Sequence, residues 1–220
     1  MYSIGAVTSA SLASARQPYE ADPLVVRGPR RSLRYATSAD APRLFELAAD
    51  PAVTRFFSWG PYTTIEQPES YIDSLPARRE AGDLLDFLIV DAQDGPVGVT
   101  GLGELARRDR RATVGSWLGH QWWGSGANFE AKAMITALAF ERLGFDRLTA
   151  WANTRNGRSQ RALERIGFRR EGVLRAWHRH GDAVHDVVIF SMLRADWERS
   201  PLRDVGVTVT GTPPPAFLVA

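Results

Sequence analysis

The sequence predicts an α/β fold: three layers, α/β/α, around a mixed, mostly antiparallel central sheet. Three observations predict it. Strand-like stretches at 84–91, 96–105 and 112–119 follow one another across short turns, one with the Asp94-Gly95 hairpin signature, and so form an antiparallel meander. A glycine turn then opens a long apolar helix, 127–143, which is followed by another strand-like stretch, 147–153. Such a strand–helix–strand crossover joins parallel strands, so 112–119 and 147–153 run the same way. Finally, a short helix, 158–166, leads into a hairpin made of 168–177 and 183–193. Helices interleaved with strands in this order cover both faces of one sheet.

In chain order, residues 1–23 are rich in Ser, Ala and Pro and lack the charged start and apolar run of a signal peptide. They read as a flexible N-terminal tail. The domain proper is 24–197. Leu24, Val25 and Val26 make a short extra strand, and 32–36 is the next strand. Thr37, Ser38 and Asp40 offer N-caps for a helix over 41–49, whose buried stripe is Leu44, Phe45, Leu47 and Ala48. Asp50-Pro51 interrupts it, and a short helix over 53–57 follows. An aromatic loop then precedes a helix over 64–81. Gly98, Gly101 and Gly103 weaken the strand 96–105 unless something approaches its backbone closely. In the helix 127–143, the run 133–140 is almost wholly apolar, so this helix is buried on most sides and stops at Gly144. Residues 198–220, with three consecutive prolines from Pro213, read as a C-terminal tail without an element.

Composition narrows the function. The hydrophobic share of 44% over 220 residues supports one sizeable core. Lys plus Arg number 27 against 25 Asp plus Glu, a net charge of +2, and no block of five or six basic residues appears, which argues against a large nucleic-acid footprint; the local clusters at Arg30-Arg31 and Arg107 to Arg111 read as solvated turns. The absence of cysteine excludes disulfides, thiolate nucleophiles and thiolate metal sites, and fits a cytoplasmic protein. No apolar run reaches the length of a membrane span. His178 and His180 share a strand face and His185 returns across the turn, a spacing that zinc would accept. A polar hairpin turn explains the same run, and no metal is assigned.

The chemistry centres on the glycine turn. Gly124 and Gly126 let the backbone approach a ligand closely, and the following helix start presents unpaired N–H groups and partial positive charge. This is a cradle for a phosphate or diphosphate. The Walker string is absent. The dinucleotide fingerprint is only half present, because Phe129 stands at its third glycine and Asp146 lies before the next strand, not at its end. The pattern Gln/Arg-x-x-Gly-x-Gly/Ala is matched in full by Gln121, Gly124 and Gly126.

That segment, Trp123-Gly124-Ser125-Gly126-Ala127-Asn128-Phe129-Glu130-Ala131, resembles the acetyl-CoA-binding motif of the GNAT N-acetyltransferases, in particular the ribosomal-protein N-terminal acetyltransferase branch. Two downstream stretches are similar to further family motifs in the right order: Asn156 to Ser159 with Ala162 to Phe168, then Glu171 to Arg175 with Asp186 and Ser191 to Leu193. The resemblance covers roughly 33–197. It implies a GNAT-like fold whose sheet is splayed between its fourth and fifth strands.

It also implies a function: transfer of an acetyl group from acetyl-CoA, a co-substrate, directly to a primary amine of a protein N-terminus or small molecule. The alternatives are acetylation of aminoacyl-tRNA, or a non-catalytic acyl-CoA-binding sensor or interaction module. The diphosphate would take the N–H groups of Gly124, Ser125, Gly126, Ala127 and Asn128, and the pantetheine arm the backbone near Trp117, Leu118 and Gly119. Asn153 and Asn156 would help hold the arm, and Ser159 would donate to the departing thiolate, with a helix N-cap or first-turn hydroxyl as its competing role. Where many relatives carry a glutamate, this chain has Thr113, so Glu104 and His120 are the substitute bases, with a water-relayed base as the alternative. Glu130 reads as structural, in a helix first turn that favours carboxylates. Phe57, Trp59 and Tyr62 would wall the acceptor site, with core packing as the competing reading of the Phe pair. A homodimer is the family's expectation.

Overall fold

The computed structural model describes residues 21–219. The expected tail over 1–23 lies outside the described residues except for its last three. Nine strands form one open mixed sheet. In chain order they are β1 (Val25–Arg27), β2 (Arg31–Arg34), β3 (Leu84–Asp91), β4 (Gly95–Ala106), β5 (Arg111–Leu118), β6 (Arg147–Asn153), β7 (Arg169–His180), β8 (Ala183–Leu193) and β9 (Thr208–Thr210). Their order in space is β7-β8-β6-β5-β4-β3-β2-β1-β9. Every pairing is antiparallel except β5 with β6, as the crossover predicts.

The helices are α1 (Ala41–Ala48), α2 (Pro51–Thr54), α3 (Glu66–Ala81), α4 (Ala127–Ala137), α5 (Gly157–Arg165) and α6 (Arg194–Trp197). Period-two alternation along β3 sorts the two faces. Leu85, Phe87 and Ile89 join the larger core under α4, whereas Leu88 packs with Val99, Leu44 of α1 and Ile72 of α3. After Ala137 the helix widens into a π turn, Leu138–Leu143, and ends at Gly144 with φ +86°. Among the described residues, no helix is long and apolar enough to cross a membrane.

Three expectations change. Residues 198–219 are not a loose end: β9 pairs with β1, Phe217 is fully buried, and the Val219 amide donates to Leu143 O at 3.0 Å. A three-residue strand between Gly206 and Gly211 carries too little pattern to be read from sequence. The close approach expected at the glycines of β4 is made by neighbouring strands: a Cβ on Gly101 would fall 1.8 Å from Asp86 Oδ1, and one on Gly98 2.2 Å from Trp117 O. Glu130 is structural, but through a partner instead of a helix dipole. Its Oε1 accepts from the amides of Arg30 (2.7 Å) and Arg31 (2.8 Å), and its Oε2 pairs with the Arg31 guanidinium at 2.9 Å. Arg31 also pairs with Asp91 at 2.9 Å, so an arginine that reads as part of a solvated turn is buried.

The β5–β6 pairing positions the site. It extends only over Arg111–Thr113 against Arg147–Thr149. Beyond Thr113 the two strands part, which is the expected splay; with the extra first strand counted, it falls between the fifth and sixth strands.

Candidate active site

The splay opens a cavity of about 610 Å³. Val114 to Leu118 of β5 form one wall and Ala150 to Asn153 of β6 the other. Gly124, Gly126 and Asn128, the segment with Ala52, Val53, Phe56 and Phe57, and residues of α5 complete the lining.

The glycine turn has the geometry of a cradle. Gly124 (φ +79°) and Gly126 (φ +85°) adopt left-handed backbone, and a Cβ built on either meets nothing within 4 Å. No packing demand explains these glycines, whereas a ligand lying on the backbone does. The Ser125 hydroxyl donates to Trp122 O (2.7 Å) and accepts from the Ala127 amide (3.3 Å), so Ser125 shapes the turn and occupies one helix-start N–H. Asn128 stays on the wall, its Oδ1 accepting from the Ser116 hydroxyl at 3.1 Å. Gly126→Val is expected to abolish acetyl-CoA binding, and to cost about 1–3 kcal/mol of stability because a β-branched residue is strained at φ +85°. The check is calorimetric titration of the folded variant, and unchanged affinity would remove the cradle assignment.

The expected arm-binding backbone is partly engaged. Trp117 and Leu118 line the cavity, but Leu118 O accepts from the Trp123 indole at 3.0 Å. Gly119 is off the wall: its amide donates to Val97 O at 2.9 Å, and a Cβ there would strike the Trp122 ring at 2.9 Å. It is a packing glycine. Gln121 sits exposed in the 3₁₀ turn His120–Trp122, also away from the cavity. Asn153 and Asn156 both line the cavity, with their Oδ1 atoms fixing the β6–α5 turn by accepting from Arg155 N (2.9 Å) and Ser159 N (3.1 Å). Asn156, not Ser159, is therefore the helix cap, and the Ser159 hydroxyl is left on the cavity wall.

Of the two candidate bases, neither lines the cavity. His120 is exposed, 3.3 Å from Asp50, with its ring tilted against Trp123 at 4.2 Å. Glu104 does touch the wall indirectly. It sits at φ +49° in a bulge of β4, and its Oε2 accepts from the Thr113 hydroxyl at 2.7 Å. The carboxylate thus reaches across to the Thr113 position of β5. His178 lies edge-on to Trp151 at 4.0 Å; burial first, then His185, holds it below the ordinary imidazole range, with Glu104 opposing. Among the described residues, no cluster of three or more His, Asp or Glu side chains is arranged to hold a metal ion.

Phe57 lines the cavity, while Trp59 and Tyr62 form a second tier. Trp59 stacks on Phe57 (5.3 Å), contacts Tyr62 (5.5 Å) and meets Trp117 edge-on (5.7 Å).

Two groups escape the sequence reading. Arg158, Arg161 and Arg165 share one face of α5 and make the cavity's side wall basic; their three- and four-residue spacing was the available signal. Arg158 lies 3.1 Å over the Trp123 ring. Lys132 is 3% exposed, lines the cavity, and burial alone lowers its ammonium to about 7. Its position at the edge of the apolar run 133–140, with no acidic neighbour at i−3 or i−4, was the available signal.

A strand edge left open beside a glycine-capped helix start has the shape to take an extended, amide-bearing chain that ends in phosphates. The acetyltransferase (GNAT) domain model matches residues 30–169, and the chain belongs to this family. It is 28% identical over 169 residues to the uncharacterized N-acetyltransferase p20 of Bacillus licheniformis, covering 76% of this chain and 95% of that one. It is 30% identical over 172 residues to the "Putative ribosomal N-acetyltransferase YdaF" of Bacillus subtilis (strain 168), covering 76% and 93%. In fold it matches a GCN5-related N-acetyltransferase from Brucella melitensis with a TM-score of 0.72 at 24% identity, over 82% of each chain. The acetyltransferase MccE, in complex with acetyl-CoA and AMP, matches with a TM-score of 0.68 at 21% identity, over 75% of this chain and 93% of that one. The protein is an acetyltransferase, and acetyl-CoA is the donor its family uses. The open glycine cradle, the unpaired β5 edge and the basic α5 face fit that donor.

Proposed function

We propose that this acetyltransferase moves the acetyl group directly to a primary amine of a protein N-terminus or a small molecule. The observation that carries the reading is the wall of the splay cavity, which pairs a diphosphate cradle and an open strand edge with no thiol. Direct attack by the acceptor amine on the thioester carbonyl needs no enzyme nucleophile. Backbone donors along β5 then favour the charge that develops on the carbonyl oxygen. The Ser159 hydroxyl donates to the departing sulfur. Glu104, held by Thr113 at the cavity's edge, receives the proton that the amine must lose. Similarity to YdaF favours an N-terminal amine among these acceptors. Thiol release from acetyl-CoA, measured against a panel of peptides and small amines, tests the reading. Release with no acceptor in the panel would favour a coenzyme-A-binding sensor instead.

The aromatic loop supplies the acceptor wall in this reading. Trp59→Ala is expected to weaken acceptor binding by about 1–3 kcal/mol, roughly one to two powers of ten, with acetyl-CoA affinity nearly unchanged. Separate titrations of each substrate, with a melting curve, decide it. Equal weakening of both ligands, or a stability loss of about 3–5 kcal/mol, would mark Trp59 as core.

A further inference from the structure

Lys132 is anomalous in its setting. It follows Asn128 by four residues and Phe129 by three, on the cavity-facing side of α4. Helical side chains lean toward the helix N-terminus, so its stem runs back toward the level of Asn128 and the glycine turn. Two residues earlier, buried Glu130 is fully matched by Arg31. Among the described residues, by contrast, none accepts a hydrogen bond from the Lys132 ammonium or pairs with it.

The surroundings offer no neutralising charge. The ionisable groups sharing its cavity are Arg158, Arg161 and Arg165 of α5, all cationic. The polar groups that β5 and β6 bring to the same cavity, Thr113, Ser116 and Asn153, carry no charge. On the remaining strands packed against α4, every charged group is turned to another partner. Arg27 of β1 bonds Thr210, Arg31 of β2 is closed between Asp91 and Glu130, and Arg34 of β2 is paired with Asp40. Glu104 of β4 is held by Thr113, and Arg111 of β5 by Asp109. Burial is the sole cause acting on Lys132. A cavity with one buried lysine, three arginines along its exposed side and no carboxylate on its wall suits an anion.

We propose that Lys132 is the counter-charge for an anionic group of the acyl donor inside the cavity, and that its Nζ takes up a proton from solvent as the donor binds. The inference rests on the acyl-CoA reading. One chemistry has two sources here: the diphosphate that every coenzyme A thioester carries, or a carboxylate on the acyl group itself. Either places negative charge within a few ångströms of a desolvated amine that is mostly neutral at about pH 8. Protonation then becomes part of binding.

Calorimetric titration at about pH 8, in buffers of different ionisation enthalpy, counts the protons. The probes are acetyl-CoA, succinyl-CoA and S-acetylpantetheine, which has neither anion. Uptake of roughly 0.5–1 proton per acetyl-CoA is expected. It should vanish with S-acetylpantetheine and in Lys132→Met, a near-isosteric change. That result assigns the diphosphate; uptake with succinyl-CoA alone assigns the acyl carboxylate. Affinity should also fall toward tenfold per pH unit above about 8 in the wild-type protein, which keeps the test available should the variant not fold. Binding without proton uptake, or uptake that persists in folded Lys132→Met, overturns the assignment while leaving the acyl-CoA reading intact. No binding of any probe overturns both.

Discussion

Ser159→Ala is expected to lower kcat by about 10²–10⁴-fold while the KM for acetyl-CoA moves little. The loss follows from what the hydroxyl is free to do. Most serines in a helix's first turn are occupied with the backbone, and the sequence leaves that role open for Ser159. The structure gives it to Asn156, whose Oδ1 receives the Ser159 amide at 3.1 Å. The hydroxyl remains on the wall of the cavity, half-buried, at the start of the helix. A thiolate leaving into such a site is poorly solvated and gains more from one hydrogen bond than it would in water. The interaction strengthens only as the carbon–sulfur bond breaks, so removing it should appear in kcat and not in ground-state binding. Steady-state kinetics across a range of acetyl-CoA concentrations separates the two constants. Turnover near that of the wild-type protein would strip Ser159 of its proton-donor role and leave it as a residue of the turn.

What the sequence discloses tracks how local the determinant is. The meander, the parallel crossover and the long buried helix rest on periodicity and on Gly144, and each lies where that pattern puts it. The cradle is legible because φ beyond +70° at two glycines has a sequence signature, and because three short motifs occur in order. Nonlocal partners are less legible. Arg30-Arg31 looks like a solvated pair until α4 brings Glu130 to it from about a hundred positions away. Gly119 fits the ligand-contact pattern, but whether its backbone is free depends on Val97 and Trp122 across the sheet edge. Glu104 could be named as a carboxylate without its geometry being known. The bulge that carries it toward Thr113 is a register shift between β4 and β5, which no spacing along one strand reveals. Lys132 escaped the reading because a charge at the edge of the apolar run 133–140 does not say whether its ammonium reaches solvent.

The buried ammonium should also leave a mark on stability that needs no ligand. In the unfolded chain Lys132 keeps its proton up to the ordinary lysine value of 10.5; in the native protein only up to about 7. Between those values the unfolded state binds more protons, so native stability rises with pH across that window. Below about 7 both states are protonated and the full cost of burying the charge is present; above about 10.5 both are neutral and the cost is gone. At about 1.4 kcal/mol per pH unit, the span corresponds to about 3–5 kcal/mol once relaxation around the charge is allowed for. Other groups titrate too, so the quantity to measure is the difference between the wild-type protein and Lys132→Met. Methionine keeps the volume and removes the charge. The variant is expected to be the more stable protein at about pH 6, by roughly 2–4 °C in Tm per kcal/mol, and the margin should shrink steadily toward about pH 10. A margin that stays constant over that range would show that the lysine reaches water in the native state. It would then be an ordinary surface cation, without the desolvation on which its proton uptake depends.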